Sequence, residues 1–118
     1  MYATVKDFVL RIGEFQAIQL TDRDREGVVN ESVLTIALSD STSQIDGYLS
    51  ARYRLPLPII PQNLTRICCD LTRYRLASMS EVTITDEIIT RYKLSLKELE
   101  DLAAGKISLG IEIEDDQQ

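Results

Sequence analysis

The sequence turns from a helical pattern to an extended one within one stretch, Asp46-Gly47-Tyr48-Leu49-Ser50-Ala51-Arg52-Tyr53-Arg54-Leu55-Pro56-Leu57-Pro58-Ile59-Ile60-Pro61. Each proline removes a backbone donor and biases the residue before it toward extended geometry, so a helix cannot continue through this run. The residues between the prolines are apolar, which favours a rigid connection packed across the core over a flexible linker. The stretch therefore predicts two helices joined by a structured connector.

A long amphipathic helix precedes this connector. Asn30 is a good N-cap, and we place the helix from Glu31 to about Tyr53. Gly47 lies inside it at a cost of about 1 kcal/mol relative to Ala, for which close approach of another backbone is the simplest explanation. The apolar face recurs at three- and four-residue intervals, at Leu34, Leu38, Ser41, Ile45, Tyr48 and Leu49.

Two further helices follow the connector. Pro61 suits the first turn of a helix that runs to about Ala77, and Thr85 caps a last helix that ends near Ala104, before Gly105. We expect Leu49, Leu71 and Leu96 in the core. The inward positions are Leu64, Ile67, Cys68, Leu71 and Tyr74 in the first helix, and Ile88 or Ile89, Tyr92, Leu96, Leu99 and Ala103 in the second.

Two short helices open the chain. Thr4 and Asp7 have the spacing of a helix N-cap, Gly13 offers a stop, and a second piece covers Glu14 to Leu20. The fold class expected is mainly α, a small bundle of four to five helices with a short extended C-terminal segment.

The chain ends in a different pattern. Ile107, Leu109, Ile111 and Ile113 alternate with polar residues and glycine, as in a strand, before an acidic end. A lone strand could lie on the core, pair with another short segment, add to a neighbouring subunit, or fray. We interpret it as a candidate assembly tail and divide the chain into a helical domain, 1–107, and an extended acidic tail, 108–118.

The composition excludes several classes of protein. The net charge of −6 disfavours binding to nucleic acid, which requires Lys and Arg against phosphate. No apolar run reaches the roughly 18–20 residues of a membrane span. Histidine, the commonest general base, is absent, and the five glycines form no phosphate-binding loop. The two adjacent cysteines are expected to be reduced, with Cys68 in the core. We expect no enzyme, cofactor or metal.

Two segments combine acids, tyrosines and arginines. Each could hold a polar network between helices, or present tyrosine and arginine to a partner, since both residue types are frequent at interface centres. In the network interpretation, Asp46 or Asp70 pairs with Arg52, Arg73 or Arg75. The candidates are Asp46, Tyr48, Arg52 and Tyr53 in the first segment and Asp70, Arg73, Tyr74 and Arg75 in the second.

Several stretches together resemble one family. They are Met1-Tyr2-Ala3-Thr4, Ile18-Gln19-Leu20-Thr21-Asp22, the run from Ile45 to Leu57, Cys69-Asp70-Leu71-Thr72-Arg73-Tyr74 and Gly105-Lys106-Ile107-Ser108-Leu109-Gly110. The chain is similar over nearly its whole length to small proteins of Mu-like phages and prophages, long labelled a domain of unknown function, whose genes lie in the head-to-tail region. The helix-then-proline arrangement also resembles the helical head-tail connector proteins of other long-tailed phages, which form rings beneath the portal.

The resemblance implies a non-enzymatic assembly protein of the virion neck. Its partners would be neck proteins, on the portal, head completion or tail terminator side, and copies of itself in the particle, with no direct nucleic acid and no membrane. It would be found in the host cytoplasm during assembly and in the neck if incorporated. No catalytic or ligand residue is implied. The alternative is a small regulatory or DNA-associated helical module of a prophage, with Arg66, Arg73 and Arg75 on its second helix.

Overall fold

The computed structural model describes residues 1–111, of which 63% are helical, and contains no β-strand among them. The mainly α fold is confirmed. The five helices are α1 (Val5–Ile12), α2 (Glu14–Thr21), α3 (Glu31–Leu49), α4 (Gln62–Ser78) and α5 (Asp86–Ala103).

Three helices begin where a local polar side chain satisfies their first backbone donors. Thr4, Asn30 and Thr85 each accept a hydrogen bond from the backbone N–H three residues further on. The Asp7 carboxylate in turn accepts from the backbone N–H of Thr4 at 2.9 Å, which completes a capping box. The predicted starts of α1, α3 and α5 are therefore confirmed.

Helix α4 lies at the centre of the bundle. It packs against all four other helices, and its contacts with α5 run antiparallel, from Arg66 beside Glu98 to Tyr74 beside Tyr92. Its buried positions occupy almost every face: Leu64, Ile67, Cys68, Cys69, Leu71, Thr72, Arg73, Leu76 and Ala77. The predicted burial of Cys68 and Leu71 is confirmed, and both cysteines are free thiols.

Helix α3 ends at Leu49, earlier than predicted. The backbone N–H groups of Arg52 and Tyr53 both donate to the Leu49 carbonyl, so the chain turns there. This turn carries the Tyr53 side chain into the core, where it is 1% exposed. The connector 50–61 thus begins before the prolines. Leu55 and Leu57 pack against the core as expected, whereas Ile59 and Ile60, which follow Pro58, are exposed.

Helix α5 presents a slightly different face from the predicted one. Its buried residues are Ile88, Ser95, Leu99 and Leu102, and Leu96 is only half-buried. The Ser95 hydroxyl donates to the Asp70 carboxylate on α4 at 3.0 Å, which fixes that face inward. Leu96 packs against the core without being fully buried, so its predicted core position is confirmed only in part, while Leu49 is fully buried as predicted.

The C-terminal segment is not a strand in its described part. Gly105 takes the expected left-handed conformation, but Gly110 also has φ +78°, which interrupts an extended run over 107–111. Leu109 donates its N–H to the Tyr53 hydroxyl at 2.9 Å and, with Ile111, packs against the core. Ile107 is exposed. Ile113 lies outside the described residues.

Gly47 does not mark a close approach of another backbone within the described chain. The residue is exposed, and a Cβ built there meets nothing within 4 Å. That prediction was wrong, and within the described residues the glycine costs helix stability without any packing in return.

Gly47→Ala should therefore stabilise the protein by about 0.5–1 kcal/mol, measured by urea denaturation. The contrasting variant is Gly105→Ala, at φ +77° and against the Arg52 side chain, which should lose about 1–2 kcal/mol. A destabilised Gly47→Ala would show that something does pack on that face of α3.

Candidate interaction surfaces

The N-terminal residues tie α3 to α4. Tyr2 donates its hydroxyl to the Asp46 carboxylate and its backbone N–H to the Thr42 hydroxyl at 3.3 Å, and its carbonyl accepts from the Thr65 hydroxyl at 2.8 Å. Burial raises the pKa of the Tyr2 hydroxyl, and the hydrogen bond to Asp46 raises that pKa further. Asp46 therefore holds the N-terminus on α3.

Asp70 joins α4 to α5. Besides the bond from Ser95, its carboxylate lies 3.9 Å from the Arg66 guanidinium, which forms a closer ion pair with Glu98 at 2.9 Å. Burial raises the pKa of Asp70, while the hydroxyl of Ser95 opposes that shift. Asp70 is a partly buried, hydrogen-bonded link between the two helices.

Arg73 joins three helices. Its Nε donates to the Gln16 side chain on α2 at 2.6 Å, and its two Nη groups donate to both oxygens of Glu87 on α5 at 3.1 Å. Arg91 also donates to Glu87, at 2.9 Å. The hydrogen bonds from Arg73 and Arg91 lower the pKa of Glu87 from 4.5 to about 2. Charge-assisted, bidentate pairs of this kind fix orientation as well as distance.

A neutral bond adds to these charged ones. The hydroxyl of Thr72 donates to that of Ser41 at 2.9 Å, and both residues are fully buried between α4 and α3. The helical spacing of the sequence placed Ser41 on the inward face of α3 but did not pair it with Thr72. The other partners of the α4 side chains lie on α2 and α5, and no spacing pattern in the sequence identifies them: Gln16, Glu87, Ser95 and Glu98.

The remaining candidates lie apart from this network. Tyr48 is half-buried on α3, and Arg52 lies against Gly105 at the end of α5. Tyr74 stacks on Tyr92, with ring centroids 3.9 Å apart. Arg75 donates to the Gln44 side chain at 2.8 Å. The eight candidates thus do not form one site: Asp46, Tyr53, Asp70 and Arg73 are internal, and Tyr74 and Arg75 border the surface.

Large apolar side chains stand exposed on several elements. Leu10 is 73% exposed on α1 and Phe15 is 76% exposed on the neighbouring α2. Others are Val28, Ile36, Ile59, Met79 and Leu94. Within residues 1–111, no group of Cys, Asp and Glu is placed to hold a metal ion. None of the helices in this part of the chain has the length and apolar character needed to cross a membrane.

Comparison with known proteins identifies the family. The model of the family described as "Bacteriophage Mu, Gp36" matches residues 2–118. The chain belongs to the Bacteriophage Mu Gp36 family. Gene product J of Escherichia phage Mu is 35% identical over 112 residues, which cover 94% of this chain and 77% of that protein. The Mu-like prophage FluMu protein gp36 of Haemophilus influenzae is 38% identical over 88 residues, 75% of this chain and 60% of that protein.

The family confirms the resemblance to Mu-like phage proteins. Because the Gp36 match covers nearly the whole chain, it includes the central helix α4 with its internal network as well as the C-terminal residues. The polar residues of α4 described above make hydrogen bonds within the chain, and neither this geometry nor the family relationship points to catalysis.

The ion pairs of Glu87 with Arg73 and Arg91, called here the Glu87 bridge, predict a stability that depends on pH. Glu87→Gln should lose about 1 kcal/mol at pH 7, since the half-exposed carboxylate is partly screened by water. The folded state favours ionised Glu87, so the unfolded chain binds more protons and this stability is lost as pH falls from 4.5 toward 2.

The measurement is urea denaturation of both proteins at several pH values. The stability difference should be constant near neutrality and vanish toward pH 2. Glu100→Gln, at an exposed position on the same helix, is the matched control and should change stability by less than about 0.5 kcal/mol. A difference between wild type and Glu87→Gln that is unchanged at low pH would contradict the assignment of the bridge.

Proposed function

We propose that this chain is a non-enzymatic assembly protein at the head-tail joint, or neck, of a Mu-like virion, where it acts by contacts with other proteins and with its own copies. The observation that carries the proposal is the Gp36 family match over residues 2–118. Such a role requires a rigid scaffold that presents contact surfaces, and it requires no catalytic group.

The internal polar network supplies the rigidity. Arg66 and Arg73 on α4 are each held by a carboxylate on α5, and Arg73 also by Gln16 on α2. The exposed apolar residues Leu10 and Phe15 supply contact area, since apolar and aromatic side chains contribute most of the energy at protein interfaces.

The DNA-associated alternative receives less support. A recognition helix must enter the major groove with free basic side chains. Helix α4, which carries the arginines in question, packs against every other helix of the described chain. Two of its arginines, Arg66 and Arg73, are paired with Glu98 and Glu87. The net charge of −6 also opposes approach to phosphates.

The test is a nonsense mutation of this gene in a Mu-like phage that carries it. Electron microscopy of induced cultures should show DNA-filled heads and finished tails that are not joined. The chain supplied from a plasmid should restore joined, infectious particles, which controls for effects on neighbouring genes.

Two results would contradict the proposal. Normal joined particles from the mutant would show that the neck does not require the chain. Unchanged particle assembly with altered phage transcription would instead favour the regulatory module.

A further inference from the structure

Arg75 on α4 is a half-buried cation that has no acidic partner within the described residues. Its Nη2 donates to the neutral Gln44 side chain at 2.8 Å. Its Nε is buried and has no hydrogen-bond acceptor. Within residues 1–111, the carboxylates that form ion pairs do so with Arg66, Arg73, Arg91 and Lys97, not with Arg75. An unsatisfied buried donor is costly, and within these residues the guanidinium as a whole has no carboxylate to offset that cost.

Arg73, two residues before Arg75 on the same helix, is an arginine whose guanidinium nitrogens each have an acceptor. Its two Nη groups donate to one carboxylate, and its Nε donates to an amide oxygen. The chain contains 19 acidic residues, and only four of them lie beyond residue 111, so the lack of a partner for Arg75 within residues 1–111 does not reflect a shortage of carboxylates. The Arg75 position is instead left open to a carboxylate from outside residues 1–111.

A pocket of about 370 Å³ opens onto Arg75. Its lining residues are Gln44, Leu71, Tyr74, Arg75, Ser78 and Tyr92. The Tyr74 and Tyr92 rings stack with planes only 11° apart and form, with Leu71, an apolar wall. None of the lining residues is acidic. The volume suits one or two side chains, and the lining suits a carboxylate with an aliphatic stem.

We propose that this pocket receives a Glu or Asp side chain from the acidic C-terminal residues of a second copy of the chain. Residues 112–118 contain no Lys or Arg and four acidic residues, which are Glu112, Glu114, Asp115 and Asp116. Their charge complements Arg75, and the fork of a guanidinium binds a carboxylate with two parallel hydrogen bonds. This contact would join copies of the chain in the neck of the virion. It rests on the proposed neck function only for that location, since the contact itself can form in the isolated protein.

The experiment uses the purified full-length chain and a fluorescent synthetic peptide of residues 107–118, with binding followed by anisotropy. The peptide should bind the wild type, and Arg75→Gln should weaken binding by roughly tenfold or more. Arg75→Lys should recover only part of the affinity, because an ammonium lacks the guanidinium fork. Arg11→Gln removes the same charge from an exposed arginine outside the pocket and should bind like the wild type.

A second arm does not depend on how the Arg75 variants fold. A peptide with Gln or Asn in place of the four acids should bind the wild type roughly tenfold more weakly or worse. Equal binding of the two peptides, or equal binding of the intact peptide to wild type and Arg75→Gln, would overturn the proposal.

The source of the carboxylate is tested by self-association in sedimentation velocity. The full-length chain should associate with rising concentration, and the variant Glu112→Gln/Glu114→Gln/Asp115→Asn/Asp116→Asn should stay monomeric. The opposite result has two parts: the wild type stays monomeric, and the neutralised-tail variant binds the peptide far more tightly than the wild type does. Together they would mean that each chain fills its own pocket, which contradicts contact between copies. These measurements use the isolated protein, so they can contradict the contact between copies while the phage experiment supports the neck function. They can equally support the contact while the phage experiment contradicts the neck function.

Discussion

Helix α4 packs against all four other helices, and this placement constrains the polar groups that it buries. A charge on a buried face needs a partner, because an unpaired buried charge is far more costly than a lost surface contact. Asp70 and Arg73 are therefore held by partners on α5 and α2. The same bonds fix which face of α5 turns inward and how the α1–α2 pair is attached.

This arrangement separates structural polar residues from those available to partners. Thr72 and Arg73 make their hydrogen bonds inside the fold, whereas Arg75, two residues further along α4, lines a pocket at the surface. A small helical scaffold made rigid in this way can hold exposed side chains such as Phe15 in fixed positions. Fixed positions lower the entropy lost when a partner binds, which suits a protein that acts by contacts alone.

The sequence predicted well what depends on neighbouring residues. Thr4, Asn30 and Thr85 satisfy donors three residues away, so the helix starts could be located from the sequence alone. The full burial of Ser95, next to the half-buried Leu96, depends on Asp70, 25 residues earlier. The pairing of Arg73 depends on Glu87 and Gln16. No local pattern carries that information, which is why the sequence placed Arg73 in a network between helices but did not identify Glu87 and Gln16 as its partners.

The central claim is that α4 forms the core on which the other helices depend, and native-state hydrogen exchange tests it most directly. The backbone amides of residues 67–73 should exchange only when the whole protein unfolds, with protection equal to the free energy of unfolding from urea denaturation. Amides of α1 should exchange faster, through local opening. If the amides of α4 exchanged as fast as those of α1, at free energies well below global unfolding, α4 would not be the helix on which the fold depends.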